Sequence, residues 1–163
     1  MSEIVIKRAE LSDFELIWPL FREIIQSGDT YAYDPDISFE NARSIWINSS
    51  THTYICLRDN QLLGTFFIKA NQSGLGDHIA NAGYMVSANA RNQGIGRQMA
   101  EFSFEEAKRL GFQAMQFNFV VSTNFAAIEL WKKLGFRIIG TIPNGFRHRQ
   151  LGLVDCYVMY REL

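Results

Sequence analysis

Hydrophobic positions along the chain fall into two kinds of pattern. Residues 4–9, 52–58, 62–70, 79–86, 113–121, 136–142 and 154–161 are short apolar or alternating runs that predict strands. Phe14, Ile17, Trp18, Phe21 and Ile25 recur on one helical face, as do Ile95, Met99, Phe102, Ala107 and Leu110. Shorter helices are predicted over roughly 39–48 and 124–134. Ser12-Asp13-Phe14-Glu15 reads as a capping box opening the first helix, with Pro19 inside that helix as a candidate kink. Asp59-Asn60-Gln61 signals a hairpin, Gly111 and Gly135 mark helix ends, and residues 27–36 and 143–153 read as loops. The resulting expectation is one domain over residues 1–163. Its class is α/β with α+β character: a mixed, mostly antiparallel sheet of about seven strands with about four helices.

The strongest local feature is the junction at residues 83–99. A breaker-free strand ending at Val86 runs through a polar turn into a helix opening at Gly94-Ile95-Gly96. The first turn of a helix carries N–H groups without intrahelical partners and partial positive charge. Glycines let an anion approach them closely, so this junction predicts a phosphate site, with Arg91 and Arg97 adding charge. Gly94-Ile95-Gly96-Arg97-Gln98 lacks the Lys-Ser/Thr of a P-loop, and Met99 stands where a dinucleotide fingerprint has its third glycine.

Composition narrows the partners. A hydrophobic content of 47% fits a packed domain, and a net charge of −1 argues against nucleic acid as the main partner. No apolar run reaches membrane-span length and the N-terminus lacks a signal-peptide pattern, so a cytoplasmic location without membrane attachment is expected. Cys56 and Cys156 are isolated in apolar strands and read as buried thiols. His52, His78 and His148 are scattered, so no metal is expected.

Arg91-Asn92-Gln93-Gly94-Ile95-Gly96 resembles the Arg/Gln-x-x-Gly-x-Gly/Ala signature of the GCN5-related N-acetyltransferases (GNAT). The stretch from Asn124 through Ala127, Leu130 and Trp131 to Gly135-Phe136 resembles that family's second signature, and the element order is similar from end to end. The resemblance implies a sheet splayed between its fourth and fifth strands, with acetyl-CoA as co-substrate in the wedge. The backbone of Tyr84, Met85 and Val86 would pair with pantetheine, and the Val86 N–H would face the thioester carbonyl. The turn Arg91, Asn92, Gln93, Gly94, Ile95, Gly96 and Arg97 would hold the pyrophosphate, with Asn124 and Trp131 beside the pantetheine.

The sequence also departs from the family. Asn81 stands where some relatives carry a general-base Glu, and Trp131 where many carry a general-acid Tyr. Asn81 and Asn118, amides within apolar strands, read either as substrate-binding groups or as groups paired with a bulge or buried water. Asn124 reads as a helix N-cap, a ligand-contacting residue, or both. Tyr31 and Tyr33 read as a substrate-pocket wall or a surface loop. Arg147-His148-Arg149 reads as a solvated face, or as an attractor of anionic groups with His148 as a proton relay. The candidate catalytic set is thus Asn81, Val86 and Asn124, and the substrate set Tyr31, Tyr33, Asn81 and Asn118.

Together with Gly140-Thr141-Ile142-Pro143 and Leu153-Val154-Asp155, these features are similar to the branch that includes the yeast azetidine-2-carboxylate acetyltransferase. That resemblance implies a small amino- or imino-acid-like acceptor and direct transfer in a ternary complex. The alternatives are a protein or peptide acceptor, or a CoA-binding sensor without turnover. Dimers through the C-terminal strands occur among relatives, so a homodimer is a further expectation.

Overall fold

A computed structural model describes residues 2–163. Seven strands form one sheet: β1 (Ile4–Arg8), β2 (His52–Arg58), β3 (Gln61–Ala70), β4 (Ile79–Val86), β5 (Ala114–Val121), β6 (Arg137–His148) and β7 (Gly152–Glu162). Their order across the sheet is β1-β2-β3-β4-β5-β7-β6, and every neighbouring pair is antiparallel except β4–β5.

The period-2 alternation of strand side chains sends apolar residues to both faces of the sheet. α1 (Phe14–Ser27) and α2 (Phe39–Trp46) cover one face, where Phe14, Phe21, Trp46, Ile55, Phe67 and Met85 form a core. α3 (Ile95–Arg109) and α4 (Phe125–Lys133) cover the other, over Phe66, Ile68, Ala80, Met99, Met115, Phe117 and Trp131. Gly64 permits this second packing, because a Cβ there would lie 2.8 Å from the Met99 methyl.

Two local readings change. α1 is preceded by a 3-10 turn at Leu11–Asp13, and the capping contact lies earlier than Ser12 and Glu15: the Asp13 carboxylate accepts from the Glu10 N–H at 2.7 Å. The helix then runs through Pro19 to Ser27 and ends at Gly28, with φ +67°. Residues 143–153 are not a long loop but the inner half of a hairpin, since Phe146 pairs with Val154 and His148 with Gly152. Pro143 and Asn144 mark a register shift between Ile142 and Phe146. β6 is the sheet's edge strand, where a proline costs no ladder hydrogen bond.

Candidate active site

The sheet opens where β4 and β5 separate. Their parallel ladder holds only at Ile79↔Ala114 and Ala80↔Met115. One residue further on, a side chain replaces the backbone: Asn81 Nδ2 donates to the Gln116 carbonyl at 3.0 Å. Beyond this the strands part, with β5 committed to β7 and shifted in register between Phe117 and Val120.

The backbone groups facing the gap follow from the β3–β4 register. Asn71 N–H donates to Ile79 C=O and Ser87 N–H to Leu63 C=O, each at 2.8 Å. Odd-numbered residues of β4 therefore turn their N–H and C=O toward β3, and Ala82, Tyr84 and Val86 turn theirs into the gap. Such an unpaired edge is a template for an added extended chain. Met85 takes no part in it: its backbone is directed at Thr65 and its side chain is buried in the α1–α2 core.

A cavity of about 290 Å³ fills the gap. It is walled by Tyr31, Tyr33 and Phe67 on the α1–α2 side, by Asn81, Asn118 and Phe119 along the strands, and by Asn124 and Trp131 on the α4 side. Tyr31 and Tyr33 stack at 5.6 Å and 16°. The Tyr31 hydroxyl donates to the Tyr84 carbonyl at 2.8 Å, so one gap-facing group is already engaged. Gly83 makes room for this contact, since a Cβ there would lie 2.7 Å from the Phe67 ring and 3.2 Å from the Tyr31 hydroxyl.

Trp131 packs on Phe117 at 4.7 Å and on Tyr84 at 5.0 Å, serving as both core and wall. Asn124 caps α4, its Oδ1 accepting from Ala127 N–H at 3.4 Å, while it also lines the cavity. Asn124 thus both caps the helix and borders the cavity. Asn118 is exposed rather than buried, and its amide is engaged by Asn71 at 2.7 Å and Gln116 at 3.0 Å. Tyr31, Tyr33 and Tyr84 are all pushed above the ordinary phenol pKa, chiefly by burial, so they are neutral hydroxyls near neutral pH.

At the end of β4 the chain passes through a 3-10 turn, Ala88–Ala90, and then Arg91 to Gly94. Asn92 (φ +59°) and Gly94 (φ +74°) are left-handed, and α3 begins at Ile95. Gln98 N–H is the first to return to Gly94 C=O, at 3.0 Å, so the N–H groups of Ile95, Gly96 and Arg97 have no intrahelical acceptor. The Cβ that Gly96 lacks would meet Leu130 at 3.5 Å and Val86 at 3.7 Å, ordinary contacts. Arg97 pairs with Glu101 at 2.8 Å on the exposed face, and Arg91 is exposed.

In the basic cluster Arg147 and Arg149 are exposed, in keeping with a solvated face, and His148 and Arg149 also make local structural contacts. His148 Nδ1 accepts from the N–H groups of Gln150 and Leu151, at 3.1 and 3.2 Å, which fixes the neutral ring's proton on Nε2. Arg149 ties the hairpin tip to the end of α1, with its N–H on Gly28 C=O at 3.0 Å and its guanidinium on Gln26 C=O at 2.8 Å. That clamp immediately precedes the Tyr31–Tyr33 wall. Sequence reasoning missed Phe67, Phe117 and Phe119 as walls, because an apolar residue in a strand carries no mark of which cavity it borders. Among the described residues, no three of His, Cys, Asp and Glu converge as a metal site would require.

The Acetyltransferase (GNAT) family profile matches residues 14–136. N-acetyltransferase aca1 of Schizosaccharomyces pombe is 42% identical over 98 residues, which is 60% of this chain and 47% of that protein; the chain spans about half of that relative's length. L-amino acid N-acetyltransferase AaaT of Escherichia coli is 26% identical over 99% of both chains. A GCN5-related N-acetyltransferase from Kribbella flavida superposes with a TM-score of 0.93 at 43% identity, over 98% of each chain. A phosphinothricin acetyltransferase from Sinorhizobium meliloti, solved with AcCoA, shares the fold at a TM-score of 0.87 and 20% identity, over 100% of this chain and 89% of that one.

Proposed function

The chain belongs to the GNAT family of acetyltransferases, and from that membership we propose that it transfers acetyl from acetyl-CoA to the amine of a small amino- or imino-acid-like molecule. Transfer is direct, within a ternary complex. The observation that carries this reading is the gap itself, a cavity between β4 and β5 with walls from both faces of the sheet. The donor would lie along the β4 edge from the α3–α4 side, its pyrophosphate on the N–H groups of the turn from Arg91 to Arg97. The acceptor would enter past Tyr31 and Tyr33. The small volume of about 290 Å³ favours a small molecule over a folded protein surface.

The chain's own contribution is positioning and polarity. A gap-facing N–H, that of Val86, would support the oxyanion as the amine nitrogen attacks the thioester carbon. The carbon–sulfur bond then breaks, CoA leaves as thiolate, and the proton lost by nitrogen balances it. Among the described residues, the cavity lining includes no carboxylate, imidazole or ammonium group. Burial between aromatic walls disfavours a charged ammonium, so the amine reacts after shedding its proton to water. Asn81 bridges the strands at the apex, and its Oδ1, free of protein partners among the described residues, is available to the acceptor N–H.

AaaT, named an L-amino acid N-acetyltransferase and aligned with this chain from end to end, supports an amino-acid acceptor. The likeness to the azetidine-2-carboxylate branch extends the proposal to imino acids. Incubating the protein with acetyl-CoA and single amines, and following both thiol release and the N-acetyl product by mass spectrometry, tests the reading. Thiol release without an acetylated amine would count against it.

A further inference from the structure

We propose that Arg58 is a positioning residue for the phosphate end of the acetyl donor, acting through Gln93. This rests on the acetyl-CoA reading above and extends it to a residue outside both sequence motifs.

Arg58 ends β2, on the far side of β3 from the splayed gap, yet its guanidinium reaches the turn. Nη1 donates to Gln93 Oε1 at 3.0 Å, and Gln93 Nε2 in turn donates to the Asn89 carbonyl at 2.8 Å. Gln93 lies between the two left-handed residues Asn92 and Gly94, so this relay pins the middle of the turn whose N–H groups face the anion. A turn held in such a conformation needs neighbours that over-determine it.

The same guanidinium is short of partners. Its Nε is buried without a hydrogen bond, and among the described residues no carboxylate lies within ion-pair distance of it. Asp59, next in sequence, accepts from the Ser2 hydroxyl instead. A part-buried cation without a counter-ion is costly unless something offsets it. A pyrophosphate on the adjoining N–H groups supplies that offset. Arg58 thus fixes the turn's shape through its Nη1 hydrogen bond to Gln93 and raises the local potential through its charge.

The test compares two donors, acetyl-CoA and acetyl-pantetheine, which carries the same thioester and no phosphate. In Arg58→Met the ratio of kcat/KM for acetyl-CoA to that for acetyl-pantetheine is expected to fall about tenfold, the scale of one hydrogen bond to a charged group. The fall should lie in KM for acetyl-CoA, with kcat held within about twofold. Arg58→Lys keeps the charge but not the guanidinium geometry of the bond to Gln93, and should recover part of the ratio. Gln93→Met should lower the ratio in the same direction and, combined with Arg58→Met, add little to it. A ratio unchanged in both Arg58→Met and Gln93→Met overturns the proposal, as does an equal loss with both donors, which marks a merely structural role. Wild-type protein that fails to bind CoA would overturn the acetyl-CoA reading and this role together; normal wild-type binding with an unchanged ratio overturns the role alone.

Discussion

Asn81 and Gln116 are joined by a side-chain-to-backbone hydrogen bond of 3.0 Å at the point where β4 and β5 cease to pair. The bond continues the ladder for one more step and sets the apex of the cavity. Asn81→Asp preserves size but turns a donor into an acceptor facing an acceptor. It is expected to cost about 1–3 kcal/mol in urea unfolding, more than Asn81→Ser. Both variants should lose most turnover, because the apex and the Oδ1 change together.

Tyr31 bonds the Tyr84 carbonyl from the acceptor side. Tyr31→Phe removes a single neutral hydrogen bond, at about 0.5–1.5 kcal/mol, and leaves the ring stacked on Tyr33. The expected result is a folded protein with KM for the amine raised more than KM for acetyl-CoA. Gly83→Ala should reproduce the acceptor defect, since its Cβ pushes on both Phe67 and the Tyr31 hydroxyl. Steady-state kinetics in both substrates reads the difference.

The cavity's titratable groups are phenols raised by burial, and they hold their protons across the assay range. With the amine's proton shed to water, as proposed above, kcat/KM is expected to rise about tenfold per pH unit until the acceptor's own amine pKa is reached. Acceptors with different amine pKa values should shift the profile in step. A limb that stays fixed while the acceptor changes would reveal a group of the protein.

Gly94 and Gly96 differ in what they tolerate. Gly94 is left-handed, so Gly94→Ala is expected to cost about 1–2 kcal/mol and to weaken CoA binding. Gly96→Ala places its Cβ at ordinary contact distance and should leave the melting temperature within about 2 °C. Thermal melts with and without CoA separate the two.

Away from the site, Glu106 is held down at about 2, first by the hydrogen bond from Arg109 and further by the Tyr54 hydroxyl. Its folded pKa lies below the ordinary carboxylate value, so its stabilisation is complete above about 4.5 and is lost as pH falls toward about 2. Glu106→Gln should flatten that part of the stability-versus-pH curve. Arg109 is exposed, so added salt should shrink the effect.

Much of this architecture is legible in sequence because its signals are local. The strand into Val86, the turn and the glycine at Gly94 appear as read, since period and breaker residues fix them without tertiary help. Asn81 and Asn118 stand out as amides in apolar strands, but their meeting with Tyr31 and Trp131 at one gap is legible only through the family resemblance, because these residues are scattered over the chain. The hairpin of β6 and β7 is hidden in sequence because Pro143, Asn144 and Gly145 signal a turn, whereas an edge strand absorbs them as a bulge. Asn118 reads as buried since its strand is apolar, but the strand's alternation puts it opposite the buried Met115 and Phe117, beside Gln116, where it is exposed. Arg58 leaves no trace in sequence, because its partner Gln93 lies on another element and the contact has no spacing.

The most direct measurement is the simultaneous count of free thiol and acetylated amine from acetyl-CoA, over a panel of amino acids, imino acids, polyamines and short peptides, with Gly94→Glu beside the wild type. The expected result is stoichiometric thiol and N-acetyl product with a small amino or imino acid, abolished in that variant because its introduced carboxylate blocks the turn. CoA bound tightly by the wild type, with no amine acetylated, would contradict the proposed transfer and leave a binding module.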